Sequence, residues 1–334
     1  MQPITASPIA RLALPAALAL LATGLAGCAT PEGKKSAGAF PAKGLRVMAP
    51  AAPGGGWDQT SRELQGVLRK QVGKPVEVYN RGGAGGTVGL ADFAENHKGD
   101  PYELMATGQI MVGAVETNNS PVKLDQTTPL VRLTADYEVI VVPKASPYKT
   151  VKDLTDALKA DTKSVSIAGG SAGGTEQLLA GMIAKDIGAD PSQVNYVAHS
   201  GGGEALITML SGKVKAGISG ISEVSDKIES GDLRPLAVSS PQRLPDVNAP
   251  TLKESGVDVE LANWRGVMAP PGISDSDEKA LEDMFTKLAK SPEWKQVLQK
   301  RGWQDNFLAG QEFETFLTQE TKDVRAILGE LGLT

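Results

Sequence analysis

Glycine clusters are the feature of this chain that points most directly to chemistry. They recur at 54–56, 82–86, 169–174 and 201–203, and each lies between the end of a predicted strand and the start of a predicted helix. The first turn of a helix has unpaired N–H groups, and glycine lets a ligand approach them closely. The helix dipole at that end favours negative charge. Four such loops predict an anion-binding site, with tight turns that hold no ligand as the alternative.

A serine hydrolase is the catalytic alternative, because residues 169–173 read Gly-Gly-Ser-Ala-Gly and fit the G-x-S-x-G pattern with Ser171 as nucleophile. A triad on this pattern needs an acid and then a histidine farther along the chain. His199 is the only histidine after Ser171. The intervening acids, Asp186 and Asp190, lie at the far end of a predicted helix or in its exit loop. They are poorly placed to orient His199, so the sequence favours binding over catalysis.

Metal and nucleotide sites have little support. Two histidines and one cysteine are too few for an ordinary zinc site. No glycine cluster matches the phosphate-binding patterns G-x-x-x-x-G-K-[ST] or G-x-G-x-x-G. We predict no metal and no cofactor. His97 falls in a polar loop, whereas His199 could either donate to a carboxylate or be structural.

Two acids, Asp58 and Glu176, stand at predicted helix N-termini just after glycine clusters. As a pair they could suggest acid–base chemistry, but interaction with the local helix dipole is the favoured role. Trp57 either packs over a ligand or staples its helix. Arg62, one turn farther on, is a possible charge partner, although solvation at the surface is favoured.

The elements that must position these loops alternate between strand and helix. Residues 45–49, 76–79 and 102–106 read as strands, with helices over 57–72 and 88–95 between them. This β-α-β-α-β order predicts a parallel sheet with helices on its faces.

A second unit begins with the strand at 137–143 and a helix that starts at 149–154. It continues with strands at 164–168, 195–198, 214–219 and 233–239. After a strand at 264–269, the chain is predicted to end in three amphipathic helices near 277–290, 292–300 and 311–331.

The N-terminal 27 residues read as a secretion signal, because the apolar run from Leu12 to Ala26 is too short to span a bilayer comfortably. Leu25-Ala-Gly-Cys28 resembles a bacterial lipobox, and Cys28 is the only cysteine of the chain. Lipidation there would anchor the protein without spanning the membrane. Residues 28–43, rich in Pro, Gly, Ala and Lys, predict a flexible tether. The net charge of −5 gives no support to nucleic-acid binding.

Two motifs together resemble the receptors of tripartite tricarboxylate transporters. Residues 50–60, Pro-Ala-Ala-Pro-Gly-Gly-Gly-Trp-Asp-Gln-Thr, are similar to the signature loop of that family. Residues 79–89, Tyr-Asn-Arg-Gly-Gly-Ala-Gly-Gly-Thr-Val-Gly, are similar to its second motif. Weaker likenesses follow at 146–154, 202–214 and 269–273, so the resemblance covers the chain from about Leu45 to the C-terminus.

The resemblance implies an α/β fold of the type II periplasmic-binding-protein or Venus-flytrap class, with two lobes joined by two crossing strands. Each lobe is then a mainly parallel sheet flanked by helices. Lobe 1 would be residues 44–139 plus 266–334, and lobe 2 would be residues 140–265. The crossings would fall near 139–142 and 263–267, and hinge closure around a ligand is a recognised motion of this architecture.

The resemblance also implies a ligand site in which main-chain N–H groups and ordered waters hold a carboxylate. The matching positions are Gly54, Gly55, Gly56, Trp57, Asp58 and Gln59 in the signature loop. The facing loop supplies Ser171, Ala172, Gly173, Gly174, Thr175 and Glu176, and two further positions follow the third strand, Gly108 and Gln109. Many relatives end the strand near residue 219 with an aromatic residue and an aspartate, whereas this chain has Ser219 and Gly220.

The implied function is that of a non-catalytic receptor, working as a monomer outside the cytoplasmic membrane. It would bind a small carboxylate and deliver it to a membrane permease of one large and one small subunit. Trp57-Asp-Gln-Thr60 is similar to the citrate-type branch, which favours citrate or another tricarboxylate. A receptor for a sensor kinase would have the same fold and stays open as an alternative.

Overall fold

The computed structural model describes residues 40–334, and within this range ten strands form one mixed sheet. The strands are β1 (Leu45–Ala49), β2 (Val76–Asn80), β3 (Glu103–Gly108), β4 (Thr128–Pro143), β5 (Ser166–Gly169), β6 (Asn195–Ala198), β7 (Ala216–Gly220), β8 (Leu233–Val238), β9 (Ala262–Ala269) and β10 (Gln304–Ala309).

Ten α-helices in the described range cover the sheet. They are α1 (Gly56–Val72), α2 (Thr87–Asn96), α3 (Gln109–Thr117), α4 (Val151–Ala160), α5 (Thr175–Asp186), α6 (Gly202–Leu210), α7 (Ile221–Glu229), α8 (Asp275–Ala289), α9 (Pro292–Arg301) and α10 (Gly310–Glu330).

The sheet consists of two parallel groups joined by long antiparallel strands. In the first half, β2, β1 and β3 pair in parallel, and β9 pairs antiparallel with β3. In the second half, β6, β5 and β7 pair in parallel. Strand β4 belongs to both halves: residues 128–137 pair with β9, and residues 138–143 pair with β7 or β8. The carboxyl ends of the parallel strands carry the glycine loops, the usual place for a ligand in such sheets.

Apolar burial on both faces explains why each half is stable. Helices α1, α8 and α9 pack on one face of the first half, and α2, α3 and α10 pack on the other. In the second half, α4 and α5 cover one face, and α6 and α7 cover the opposite one. Strands buried on both faces read as continuous apolar runs, which is the pattern seen at Val139–Val142.

The α/β class and the two-lobed binding-protein architecture expected from the sequence are confirmed. Most predicted elements are present with ends shifted by a few residues. Sequence reasoning missed α3, α7, β10 and residues 128–136 of β4. The last segment contains Thr128, Pro129, Arg132 and Asp136, so its polar residues hid a strand that tertiary contacts bury.

Two sets of expectations from the sequence remain predictions. The signal peptide, Cys28 and most of the tether lie outside the described residues. The lobe boundaries at 139/140 and 265/266 also remain predictions. Among residues 40–334, no helix is both long and apolar enough to cross a membrane.

Candidate functional site

A cleft of about 1220 Å³ opens where the glycine loops of both halves meet. The first half contributes residues 50–57, Asn80 and residues 82–86, and the second half contributes residues 170–172 and 198–204. Gly220, Glu223, Asn263 and Arg265 line the cleft near the strands that join the halves. The remaining lining residues are Ile110, Asn118, Glu176 and Ile207. The cleft therefore brings together all four glycine clusters that the sequence singled out.

The loop before α1, residues 50–55, is shaped by its own hydrogen bonds. Gly54 has φ +86°, a conformation that favours glycine. Its N–H donates to Oδ2 of Asp58 (2.9 Å), and the N–H of Gly55 donates to the carbonyl of Ala52 (3.2 Å). Gln59 closes the turn through its side chain on the carbonyl of Gly54 (3.0 Å). The amides of Gly54, Gly55 and Gln59 are thus occupied by the loop itself or by the helix.

Three amides in the first turn of α1 remain for a ligand. The N–H groups of Gly56, Trp57 and Asp58 have no acceptor among residues 40–334, and the helix has no side-chain cap. Unpaired N–H groups at a helix start attract anions. Trp57 lines the cleft but is largely buried against Gly86, so it serves the packing of its helix as well.

Asp58 is a brace for the loop. Its carboxylate accepts hydrogen bonds from Gly54 N, Arg62 Nε and Asn80 Nδ2, each at 2.9 Å. Burial opposes its ionisation, but these hydrogen bonds outweigh burial and hold the pKa of Asp58 below its ordinary value. Asn80 also donates to the carbonyl of Ala51 (3.0 Å). Asn80 belongs to the motif at residues 79–89, but it was not among the site residues predicted from the sequence.

Part of the facing loop, residues 171–176, lines the cleft, and part of it lies where the two halves of the molecule meet. Ser171, Ala172 and Glu176 line the cleft. Gly173 has φ +71° and lies against α3, because a Cβ there would stand 2.4 Å from Thr117. Gly174 caps α5, and Thr175 is fully buried, so neither reaches the lining.

The remaining positions implied by the resemblance lie behind the lining. Gly108 passes close to the indole of Trp57, and Gln109 is completely buried. Ser219 is buried and donates to Glu223 (3.3 Å), whereas Gly220 lines the cleft. A Cβ at Gly220 would stand 2.9 Å from Oδ2 of Asp136, so glycine makes room there for a carboxylate supplied by β4.

Four buried or half-buried carboxylates surround Arg265 at the base of the cleft; we call Asp136, Glu138, Glu176 and Glu223 the floor acids. Nη2 of Arg265 lies 3.5 Å from Oδ2 of Asp136. Asn263 donates to Glu138 (3.1 Å), and Ser222 donates to Asp136 (2.6 Å). The sequence showed no acid at residues 219–220, but the fold brings these four to that place from β4, α5 and α7.

Burial raises the pKa of every floor acid. For Glu176, desolvation raises the pKa to about 7, and backbone amides only partly offset it. For Glu138, desolvation together with the neighbouring carboxylates raises the pKa well above its ordinary value. The pKa of Asp136 and that of Glu223 are also raised by desolvation, with Arg265 acting in the opposite direction. These groups therefore retain protons at a pH where ordinary carboxyls have lost them.

His199 and Ser171 do not form a catalytic pair. Nδ1 of His199 lies 3.1 Å from the carbonyl oxygen of Gly169, and Nε2 lies 2.8 Å from the hydroxyl of Thr208. With both ring nitrogens engaged, His199 joins strand and helix instead of activating a nucleophile. Among the described residues, no group of three or more His, Cys, Asp or Glu is arranged to hold a metal ion.

Comparison with known proteins also indicates binding and not catalysis. Residues 60–333 match the family described as the tripartite tricarboxylate transporter family receptor. Protein BugT of Bordetella pertussis is 32% identical over 256 residues, which covers 74% of this chain and 76% of BugT.

Two solved structures from Rhodopseudomonas palustris share the fold. One, a structure with adipate, is 21% identical, covers 88% of this chain and 98% of its own, and has a TM-score of 0.79. The other, MatC with bound malate, is 21% identical, covers 88% of this chain and 99% of its own, and has a TM-score of 0.70.

Proposed function

The chain belongs to the tripartite tricarboxylate transporter receptor family, a family of substrate receptors and not of enzymes, and from this premise we propose that it binds a small carboxylate in the cleft between its two halves. The observation that supports this most directly is the pair of unpaired amides at Gly56 and Trp57, with that of Asp58 next to them, at the edge of a cleft lined by all four glycine clusters. The ligands named for the two related structures, adipate and malate, are of the same class.

Closure of the two lobes would complete the site. We assign lobe 1 to residues 44–139 plus 266–334 and lobe 2 to residues 140–265, with β4 and β9 as the crossing strands. The facing loop, with Ser171 and Ala172, would then approach the carboxylate held at α1. Local N–H dipoles in a cleft can outweigh the distant surface charges of a protein whose net charge is −5.

The cellular role extends the same proposal. A lipid on Cys28 would hold the monomeric receptor at the outer face of the membrane, and a permease of one large and one small subunit would receive the ligand. In the producing cell, Cys28→Ser should release the protein from the membrane fraction. Its continued sedimentation with membranes would contradict the anchor.

A thermal-shift screen tests the ligand class. Succinate, adipate, malate, citrate, aspartate and glutamate are added to the purified protein, because a ligand that binds only the native state raises the melting temperature. At a concentration of 100 Kd the stabilisation is about 2.7 kcal/mol, enough for a shift of several degrees. Citrate is included first because Trp57-Asp-Gln-Thr60 favours a tricarboxylate.

A matched pair of variants locates the site. Gly55→Leu places a side chain beside the free amides and should abolish the shift. Gly66→Leu adds the same side chain to the exposed face of α1, where nothing lies within 4 Å of the new Cβ, and should keep it. A full shift in Gly55→Leu would mean that the loop is not the carboxylate site.

A further inference from the structure

The charges at the base of the cleft are out of balance for a receptor that binds only anions. Two floor acids, Glu176 and Glu223, line the cleft itself, and Asp136 and Glu138 lie behind them. Arg265 is the cation that the structure places among them, and within residues 40–334 its one ion pair is the 3.5 Å contact with Asp136. A trianion would be repelled by whichever floor acids are ionised, and Arg265 is the one lysine or arginine in the described cleft lining to offset them.

Unpartnered polar atoms give an independent sign that the base of the cleft is incomplete. Oε2 of Glu176 and Nη1 of Arg265 are buried and have no hydrogen-bond partner among residues 40–334. Both side chains are more than nine-tenths buried, at 4% and 3% exposure, and both line the cleft. Buried polar groups are nearly always paired, so an acceptor and a donor left free at one place indicate a missing partner.

The glycines around these carboxylates show that the fold makes space for them. A Cβ at Gly170 would stand 2.7 Å from Oε1 of Glu176. A Cβ at Gly202 would stand 1.8 Å from Oε2 of Glu223. Any other residue at either position would displace the carboxylate, so Glu176 and Glu223 are held at the lining by residues chosen for their lack of a side chain.

We propose that the cleft has a second subsite, formed by Glu176 and Glu223, for a protonated amine of the ligand, and that the substrate class is therefore small amino carboxylates. An ammonium group has three N–H donors and a positive charge, which matches two carboxylates with a free acceptor. Nη1 of Arg265 and the first-turn amides of α1 take the carboxylate of the same ligand. A metal ion is the other cation to consider, but among the described residues no acidic group has the arrangement to hold one.

This inference rests on the proposed carboxylate function and narrows it. It also opposes the preference for citrate, which has no amine. The raised pKa values support it, because carboxyls that retain protons when the cleft is empty can give them up to a positively charged group.

Matched ligand pairs test the subsite by isothermal titration calorimetry with the wild-type protein. Aspartate is compared with succinate, and glutamate with glutarate, so that each pair differs only by the amino group. A charge-assisted hydrogen bond in a buried site supports a preference of roughly ten- to hundred-fold for the amino member. In Glu176→Gln or Glu223→Gln that preference should fall to within about threefold, because a neutral amide does not attract the ammonium charge.

The ratio of two affinities within one variant is independent of small losses in stability. Glu320→Gln is the control, since Glu320 is a largely buried carboxyl that accepts from Trp264 (3.2 Å) outside the cleft lining, and it should keep the wild-type ratio. If succinate or glutarate binds as tightly as its amino partner, the subsite is refuted and the carboxylate receptor stands. If no carboxylate in the panel binds, the proposed function fails and the subsite fails with it. An equal ratio in Glu176→Gln, Glu223→Gln and wild type overturns the assignment of the two residues.

Discussion

Asp58 and Glu176 occupy equivalent places on opposite sides of the cleft, yet the fold treats them differently. Each follows a glycine loop in the first turn of a helix, and their exposures are 3% and 4%. Asp58 accepts three hydrogen bonds and has a lowered pKa. Glu176 keeps one oxygen without a partner and has a pKa raised to about 7.

The difference separates a carboxylate that supports its loop from one that we propose contacts the ligand. The partners of Asp58 belong to the loop, to its own helix and to the end of β2, so this carboxylate fixes the shape of the amide-lined side of the cleft. Glu176 stands among other carboxylates, and the fold supplies it with too few donors. A buried acid that its own protein leaves unsatisfied is a candidate for contact with something from outside.

Removing Arg265 should produce the largest effect. Arg265→Met leaves the floor acids without their counter-charge and should lower the free energy of unfolding by about 3–5 kcal/mol at pH 7.5. Arg62→Met removes the partner of Asp58, but that guanidinium is half exposed, so the loss should be about 1 kcal/mol or less. Urea unfolding of both variants measures the contrast, and equal losses would show that the two sides do not differ as described.

The pH dependence of stability should depend on Glu176. Its pKa is 4.5 as the ordinary value and about 7 in the folded protein, so the folded state binds more protons between those values. Stability of the ligand-free protein should therefore fall as pH rises from about 5 to about 7, by up to about 3 kcal/mol for this group. Glu176→Gln should reduce that slope and raise stability at pH 8.

Glu116→Gln is the control for this titration. The pKa of Glu116 is lowered by its hydrogen bond with Arg325, so it loses its proton below the pH window in question. The variant should lose stability by a similar amount across pH 5–8 without a change of slope. A wild-type slope in Glu176→Gln, measured by melting temperature in parallel buffers, would contradict the assignment.

Replacing Asp58, which braces the loop, should lower the free energy of unfolding by less than the changes above. The pH dependence of this contribution should have the opposite sign to that of Glu176. Asp58→Ala removes three hydrogen bonds around the loop and should cost about 2 kcal/mol. Because the pKa of Asp58 is lowered, its contribution is present above about pH 4 and is lost as the pH falls through the folded value. Asp58→Asn retains one acceptor and should recover part of the loss in thermal unfolding; no difference between the two variants would argue against the brace.

A substitution at the contact between the two halves should have the smallest effect on stability. In Gly113→Ala the new Cβ would stand 2.0 Å from the carbonyl oxygen of Gly173, so α3 and the facing loop must move apart. Overpacking of this size costs about 1–2 kcal/mol, which corresponds to a roughly tenfold rise in Kd if the contact forms in the bound state. Gly66→Ala, which meets nothing within 4 Å, should leave affinity unchanged. An unaltered Kd in Gly113→Ala would show that this contact does not contribute to ligand binding.

Local sequence patterns were enough to predict the alternation of strands and helices, the class of fold and the glycine loops that face the cleft. These are local properties: apolar periodicity defines the elements, and glycine with a following helix start defines an amide-rich loop. The sequence also determined the family, because the motifs at 50–60 and 79–89 are contiguous in the chain.

The charged side chains at the base of the cleft could be identified only from the folded structure. The floor acids come from β4, α5 and α7, and Arg265 comes from β9, so no spacing in the chain could bring them together. The folded structure also shows which amides are free, because the N–H groups of Gly54 and Gly55 donate to Asp58 and to the carbonyl of Ala52. Burial and pairing are properties of the space around a side chain, and for Asp58 and Glu176 that space differs although their places in the sequence are alike.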